Sequence, residues 1–145
     1  MRTVKQLLEQ KGTDVWTIQP GASVFDALTL MAEKNIGALV VVEGERVVGI
    51  FSERDYARKV ALEGKFSKDT PVRDIMTVDV ISVTPDRTVK DCMKFMTEGH
   101  FRHLPVVSGD RLTGLISIGD VVKAVLSDQS FMIEQLQNFI GGGRG

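Results

Sequence analysis

An internal duplication constrains this chain more than any other feature. Shifted by 65 positions, residues 15–60 lie over residues 80–125 without a gap, and 15 of the 46 pairs are identical. The identities include Pro20/Pro85, Val24/Val89, Asp26/Asp91, Gly49/Gly114, Ser52/Ser117 and Asp55/Asp120. Many of the other pairs exchange one apolar residue for another, as at Leu28/Met93 and Ile50/Leu115. The copy extends upstream, where Val4-Lys-Gln-Leu-Leu matches Val72-Arg-Asp-Ile-Met at an offset of 68. A repeat is one supersecondary unit that cannot bury its apolar face alone, so two copies are expected to pack on each other.

The period of the apolar residues gives the elements of one unit. Val15-Trp-Thr-Ile18 reads as a short strand stopped by Pro20. Ser23 is placed as an N-cap, and Val24, Ala27, Leu28, Met31 and Ala32 recur at helical spacing up to Gly37, a C-terminal signal. The apolar run over 38–42, a turn at Glu43-Gly-Glu-Arg46 and a strand over 47–51 form a hairpin. Ser52 then opens a helix with Tyr56, Ala57 and Val60 on its apolar side. The second half is expected to repeat this β-α-β-β-α order, with Leu104-Pro-Val-Val107 and Leu112-Thr-Gly-Leu-Ile116 as its hairpin. Thr70 and Pro71 are expected to begin the second lead-in helix as N-cap and N1. The resulting class is α+β, two tandem β-α-β-β-α repeats related by a pseudo-twofold axis. The units are placed at residues 1–65 and 66–128. Residues 129–145 form a last helix, with Phe131, Leu136, Phe139 and Ile140 on one side, and a glycine-rich tail predicted to be disordered.

Composition narrows the function classes. A net charge of −1 argues against a general nucleic-acid binder. A single cysteine, Cys92, leaves the fold independent of an internal disulfide. It aligns with Ala27 and reads as core. No apolar run reaches the ~18 residues needed to cross a bilayer, and the first residues lack the apolar stretch of a secretory signal. The cytoplasm is the expected compartment, with no membrane partner.

Two constellations carry possible chemistry. Gly49-Ile-Phe-Ser-Glu-Arg-Asp55 and Gly114-Leu-Ile-Ser-Ile-Gly-Asp120 each set a serine at a strand's end and an aspartate three residues into a helix. That spacing makes a capping box. It equally presents helix N–H groups and a carboxylate able to accept both hydroxyls of a ribose. In Gly99-His-Phe-Arg-His-Leu-Pro105, Arg102 and His103 precede an apolar strand, where an arginine can grip phosphate through two parallel bonds or belong to a solvated loop. Their counterparts are Gly37 and Ala38, and Arg54 faces Gly119, so the two halves cannot offer equivalent sites. His100 and His103 lack a third partner at metal-binding spacing. Trp16 fits either core or stacking against an adenine. No Gly-x-Ser-x-Gly elbow, phosphate-binding Walker loop or His-Glu-x-x-His motif is present, so an enzyme is not expected.

The duplicated unit and its Ser-x-x-Asp motifs resemble a CBS-domain pair, or Bateman module, over nearly the whole chain. The pieces Ser52-Glu-Arg-Asp-Tyr-Ala-Arg-Lys59, Val72-Arg-Asp-Ile-Met-Thr77 and Ser117-Ile-Gly-Asp-Val-Val-Lys123 are similar to those of stand-alone single-pair CBS proteins of bacteria and plant organelles. The resemblance implies a regulatory module that binds AMP, ADP, ATP, S-adenosylmethionine or NAD(H), with AMP first, senses energy or redox status, and signals to a target protein. It implies a ribose-holding role for Asp55 and Asp120, and a place near ribose or phosphate for Ser52 and Ser117. It implies phosphate contacts for Arg102 and His103, and base or ribose contacts for Thr17 and Ser82. Arg54 is a further phosphate candidate from the residues themselves. Members commonly pair as flat homodimers. The rival expectations are a structural interaction or dimerisation module that never fills its clefts and, less favoured, a nucleic-acid binder using Arg54, Arg58 and Arg102.

Overall fold

A computed structural model describes residues 2–12 and 14–142. Its elements, in order, are α1 (Val4–Lys11), β1 (Thr17–Ile18), α2 (Val24–Lys34), β2 (Ala38–Glu43), β3 (Arg46–Ser52) and α3 (Glu53–Tyr56), which runs on as a π-helical turn at Ala57–Ala61. After a 3₁₀ turn at Val72–Asp74 come α4 (Val89–Gly99), β4 (His103–Ser108), β5 (Arg111–Ser117) and α5 (Ile118–Gly142). The fold is mixed helix and strand with two small sheets, one per repeat.

Both hairpins form as the apolar runs require. β2 pairs antiparallel with β3 and β4 with β5, and each ladder shifts register at matching places, Val41/Val42 and Val106/Val107. Gly44 and Gly109 hold positive φ at the first turn position, where a two-residue hairpin needs a backbone only glycine adopts freely. Ser23 caps α2 through the Asp26 N–H at 3.0 Å.

The second half departs from a faithful copy. β1 runs parallel to β2, with the Val40 N–H donating to the Trp16 carbonyl. Val40 corresponds to Pro105, which has no N–H to offer. The strand expected at 80–83 therefore shrinks to a single bridge between Val83 and Val106, and β4-β5 stands as a two-stranded sheet.

Other expectations are corrected locally. The helix expected from Thr70-Pro71 is only the 3₁₀ turn, because Thr70 Oγ1 donates to the Phe66 carbonyl and the chain then straightens to pair Thr77 with Ile50. α2 ends not at Gly37 but at Asn35, left-handed at φ 54°, and α4 ends the same way at His100, φ 58°. The last helix is not separate: α5 runs unbroken for 25 residues, since neither proline nor a turn signal interrupts it before the terminal glycines. The side chain of Phe131 and residues 143–145 of the glycine tail lie outside the described residues.

The two cores reveal how the halves are joined. The first gathers Val24, Ala27, Met31, Leu39, Val41, Phe51 and Val60 around Val72 and Ile75. The second gathers Val83, Val89, Cys92, Leu104, Val106, Ile116 and Val121 around Val4, Leu7 and Leu8. Each lead-in segment therefore completes the core of the opposite repeat. Matching backbone bonds fasten the crossing: Val4 N–H to the Arg87 carbonyl at 2.8 Å, and Val72 N–H to that of Ala22 at 2.8 Å.

Glycines make room for the crossing. A Cβ on Gly49 would lie 2.9 Å from the Thr77 carbonyl oxygen, and one on Gly114 would lie 2.8 Å from the Leu8 side chain. The glycine of each motif thus admits the other half's lead-in segment.

Candidate functional site

A cleft of about 690 Å³ lies between the repeats. Its acidic wall comes from the first repeat. β3 ends at Ser52, whose hydroxyl accepts from the Asp55 N–H at 3.2 Å, while Asp55 Oδ2 accepts from the Ser52 N–H at 3.0 Å and from its hydroxyl at 3.1 Å. This is the expected capping box, and it fixes Asp55 at the cleft with 7% exposure. The other carboxylate oxygen accepts from Thr77 Oγ1 at 3.0 Å and faces Lys59 Nζ at 3.0 Å. Four donors thus meet the four lone-pair positions of an ionised carboxylate. A ligand hydroxyl must displace one of them, and Lys59, 44% exposed on a long side chain although its ammonium also donates to the Ile75 carbonyl at 3.1 Å, is the donor that can leave.

The basic wall comes from both repeats. Arg54 and Arg58, one turn apart beside α3, face Arg102 from the start of β4 across the cleft. The charges of Arg58 and then Arg102 push the Arg54 guanidinium below its ordinary range. Arg54 thus sits close to two like charges. With Lys59, four cations meet only two carboxylates, Asp55 and Asp79, on the lining. A planar guanidinium offers paired donors to phosphate oxygens. His103 lies deeper. Burial, then Lys11 and Arg102, lower its pKa, while Asp120 and Asp55 oppose them, so its surroundings disfavour the charged ring. Ile50, Val80, Met96, Phe101 and Ile118 supply an apolar patch, and Phe101 a ring, against which a base can lie.

The structure therefore brings together Ser52, Arg54, Asp55, Arg102 and His103. It does not bring Thr17, Ser82, Ser117 or Asp120 to this cleft. Thr17 is an exposed residue of β1, and Ser82 is exposed in the segment that Pro105 leaves without a strand. Ser117 and Asp120 form their own capping box at the start of α5, where Asp120 also binds Lys11. Trp16 is 37% exposed, with Lys34 Nζ 4.3 Å above its ring.

Sequence reasoning missed several cleft residues. Arg58, considered only for a nucleic-acid surface, and Lys59 were legible as the residues one turn beyond Arg54 and Asp55. Thr77 was not, since only the crossing of the lead-in segment brings it to Asp55. His100, weighed only as a metal ligand, is the left-handed cap of α4 at the cleft wall. Among the described residues, no group of three or more His, Cys, Asp or Glu side chains gathers to hold a metal, and no helix is long and apolar enough to cross a membrane.

Comparison with known proteins matches this architecture. The sequence profile of the CBS domain matches residues 4–62 and again 72–127. The CBS domain-containing protein CBSX3, mitochondrial, of Arabidopsis thaliana is 38% identical over 151 aligned positions, covering 97% of this chain and 73% of that protein. A CBS-domain protein of Burkholderia ambifaria, assigned to signal transduction, superposes with a TM-score of 0.82 at 51% identity, covering 88% of this chain and 96% of that one. The CBS-domain protein ATU1752 of Agrobacterium tumefaciens gives a TM-score of 0.78 at 44% identity, covering 84% and 98%.

Proposed function

Because this chain belongs to the CBS-domain family, with one CBS pair filling most of its length, we propose that it is a regulatory module that binds an adenine nucleotide in the cleft between its repeats. One observation carries the reading: a carboxylate on a helix N-terminus, three arginines and an apolar patch converge on a single cavity. These match the three parts of a nucleotide. Asp55 takes the ribose hydroxyls when Lys59 swings from it toward phosphate. Arg54, Arg58 and Arg102 take the phosphates, and the base lies against Val80, Met96 and Phe101. Hydrogen bonds to such charged groups contribute roughly 1.5–3 kcal/mol each. AMP is the first candidate, with ADP, ATP, NAD(H) and S-adenosylmethionine as alternatives. The module acts in the cytoplasm as a sensor of energy or redox status rather than as a catalyst. Both repeats line the cleft, so a ligand there shifts their packing and passes its signal to a target protein through its differential affinity for the two arrangements.

Thermal unfolding with AMP, ATP, NADH, S-adenosylmethionine and GTP in turn tests this. At 100 times its dissociation constant a ligand adds about 2.7 kcal/mol, which raises the midpoint of a chain this long by roughly 5–10 °C. The expected result is a shift with an adenine ligand and not with GTP, lost in Asp55→Ala. No shift in nucleotide-stripped protein overturns the reading. It would favour the rival, a structural module whose Ser52 and Asp55 serve only as the cap they form.

A further inference from the structure

We infer that the second motif carboxylate, Asp120, already holds an internal ligand, the ammonium of Lys11, and that the chain consequently takes one adenine nucleotide rather than two. The inference rests on the nucleotide reading above and adds its stoichiometry and the residue that sets it.

The geometry is best seen by laying one half on the other. In the first half, Thr77 reaches β3 from the opposite lead-in segment. Its N–H donates to the Ile50 carbonyl at 2.8 Å and its hydroxyl to Asp55 at 3.0 Å. Ile50 and Asp55 correspond to Leu115 and Asp120. There the lead-in segment is α1, and a single ammonium performs both tasks. Lys11 Nζ donates to the Leu115 carbonyl at 2.6 Å and to Asp120 Oδ2 at 2.5 Å. It also supplies the charge that Lys59 gives Asp55, because the residue at the position of Lys59 is Ala124.

Lys11 is not a surface lysine in passing contact. It is the last residue of α1, whose Val4, Leu7 and Leu8 are built into the second core, and Gly12 closes the helix with its N–H on the Leu8 carbonyl at 2.7 Å. The backbone carrying the ammonium is thereby fixed.

Nothing at the corresponding positions offsets the loss of that ion pair. Gly119 stands for Arg54, Ala124 for Lys59, Gly37 for Arg102 and Ala38 for His103, which leaves Lys123 alone, in the place of Arg58. A nucleotide arriving at Asp120 would have to break two ammonium hydrogen bonds and would meet almost no phosphate cradle. At Asp55 it must likewise free Lys59 from two bonds, to Asp55 at 3.0 Å and to the Ile75 carbonyl at 3.1 Å, but there Arg54, Arg58 and Arg102 stand ready to receive the phosphate.

Equilibrium dialysis with AMP and with adenosine, which needs no phosphate cation, tests the inference. The unaltered chain should bind one AMP, and no more than one adenosine. Lys11→Met, which keeps an unbranched stem while removing the charge, should bind one further adenosine, and Lys11→Arg should not. Should Lys11→Met fail to fold, Asp120→Ala keeps the inference testable. That variant should bind AMP within about twofold of the unaltered chain, whereas Asp55→Ala, losing hydrogen bonds to a charged group, should bind at least about tenfold more weakly. Two AMP per unaltered chain, one adenosine in folded Lys11→Met, or a tenfold loss in Asp120→Ala each overturn the assignment of Lys11 and leave nucleotide binding intact. No AMP bound by any form overturns the nucleotide reading, and this inference with it.

Discussion

Titratable groups near the clefts make the stability of the free protein depend on pH in two separate windows. His103 is less readily protonated in the fold than in the unfolded chain, chiefly because it is buried and next because Lys11 lies near. The unfolded state then binds the extra proton first, so stability falls as pH drops below about 6.5, the ordinary histidine value, and levels off below the folded value. Burial raises the pKa of Asp120, but its bonds to Lys11 and Ser117 outweigh that and leave it below the usual carboxylate range. Its contribution is present above about pH 4 and is lost as pH falls through the folded value. Urea midpoints taken from pH 7.5 to 3 should show both declines. His103→Gln should flatten the upper one and leave the lower. A variant that retains the full upper decline would assign it to another group. Cys92, by contrast, is held inert: burial, aided by Asp91, raises its thiol to about 11, so alkylation of the native protein should be slow.

Among the elements, α5 is the one left incomplete by its own chain. Val121 and Ala124 are buried against the second core, but Ile118, Val122, Leu126, Ile133, Leu136 and Ile140 remain 45–66% exposed. They recur at helical spacing in two stretches, Ile118 to Leu126 and Ile133 to Ile140, which together offer an apolar seam to another helix. Lys123 and Glu134 line the same shallow groove along α5. A second copy packed antiparallel about a twofold axis midway between them would set Lys123 against Glu134 and Glu134 against Lys123, the reciprocal pairing of an isologous contact. We propose that the homodimer expected of this chain forms along this seam. Leu126→Glu with Leu136→Glu should give a monomer by sedimentation while the single-chain fold persists. A dimer retained in the double variant removes α5 from the interface. The hairpins and α2 were legible because their signals are local: period, cap and turn glycine. The length of α5 was not. Its polar interruption at Ser127, Asp128 and Gln129 resembles a boundary, yet contains no residue that stops a helix. The lost strand before α4 was legible in principle from Pro105, since only proline withdraws the N–H on which the parallel pairing depends.

For the whole molecule, the decisive fact is the exchange of lead-in segments, and it lay beyond the reach of sequence reasoning. The duplication showed two similar units, but the apolar pattern of Val4, Leu7 and Leu8 suits either repeat. The space opened at Gly114 is matched at Gly49, so each repeat can admit a lead-in segment and the glycines do not tell which one it receives. The site follows from the same exchange. The cleft, its Ser-x-x-Asp motif and its basic pair were visible in advance, whereas Thr77 and Lys11, the residues that make the two carboxylates unlike, arrive on crossing segments. The exchange also predicts that the repeats unfold as one. Leu8 touches only the second core, where it is 5% exposed, and Leu8→Ala should cost about 2–5 kcal/mol by leaving a cavity. The single tryptophan, Trp16, lies beside β1 in the first repeat. If the halves were independent, its fluorescence transition in urea would keep the original midpoint while circular dichroism split into two steps. Because α1 leads directly into β1 and the first core is closed by the chain that enters the second, both probes should shift together to one lower midpoint. A tryptophan transition left in place would show that the crossing segments join the repeats without coupling them, and a ligand in the cleft would then have no rigid path from one half to the other.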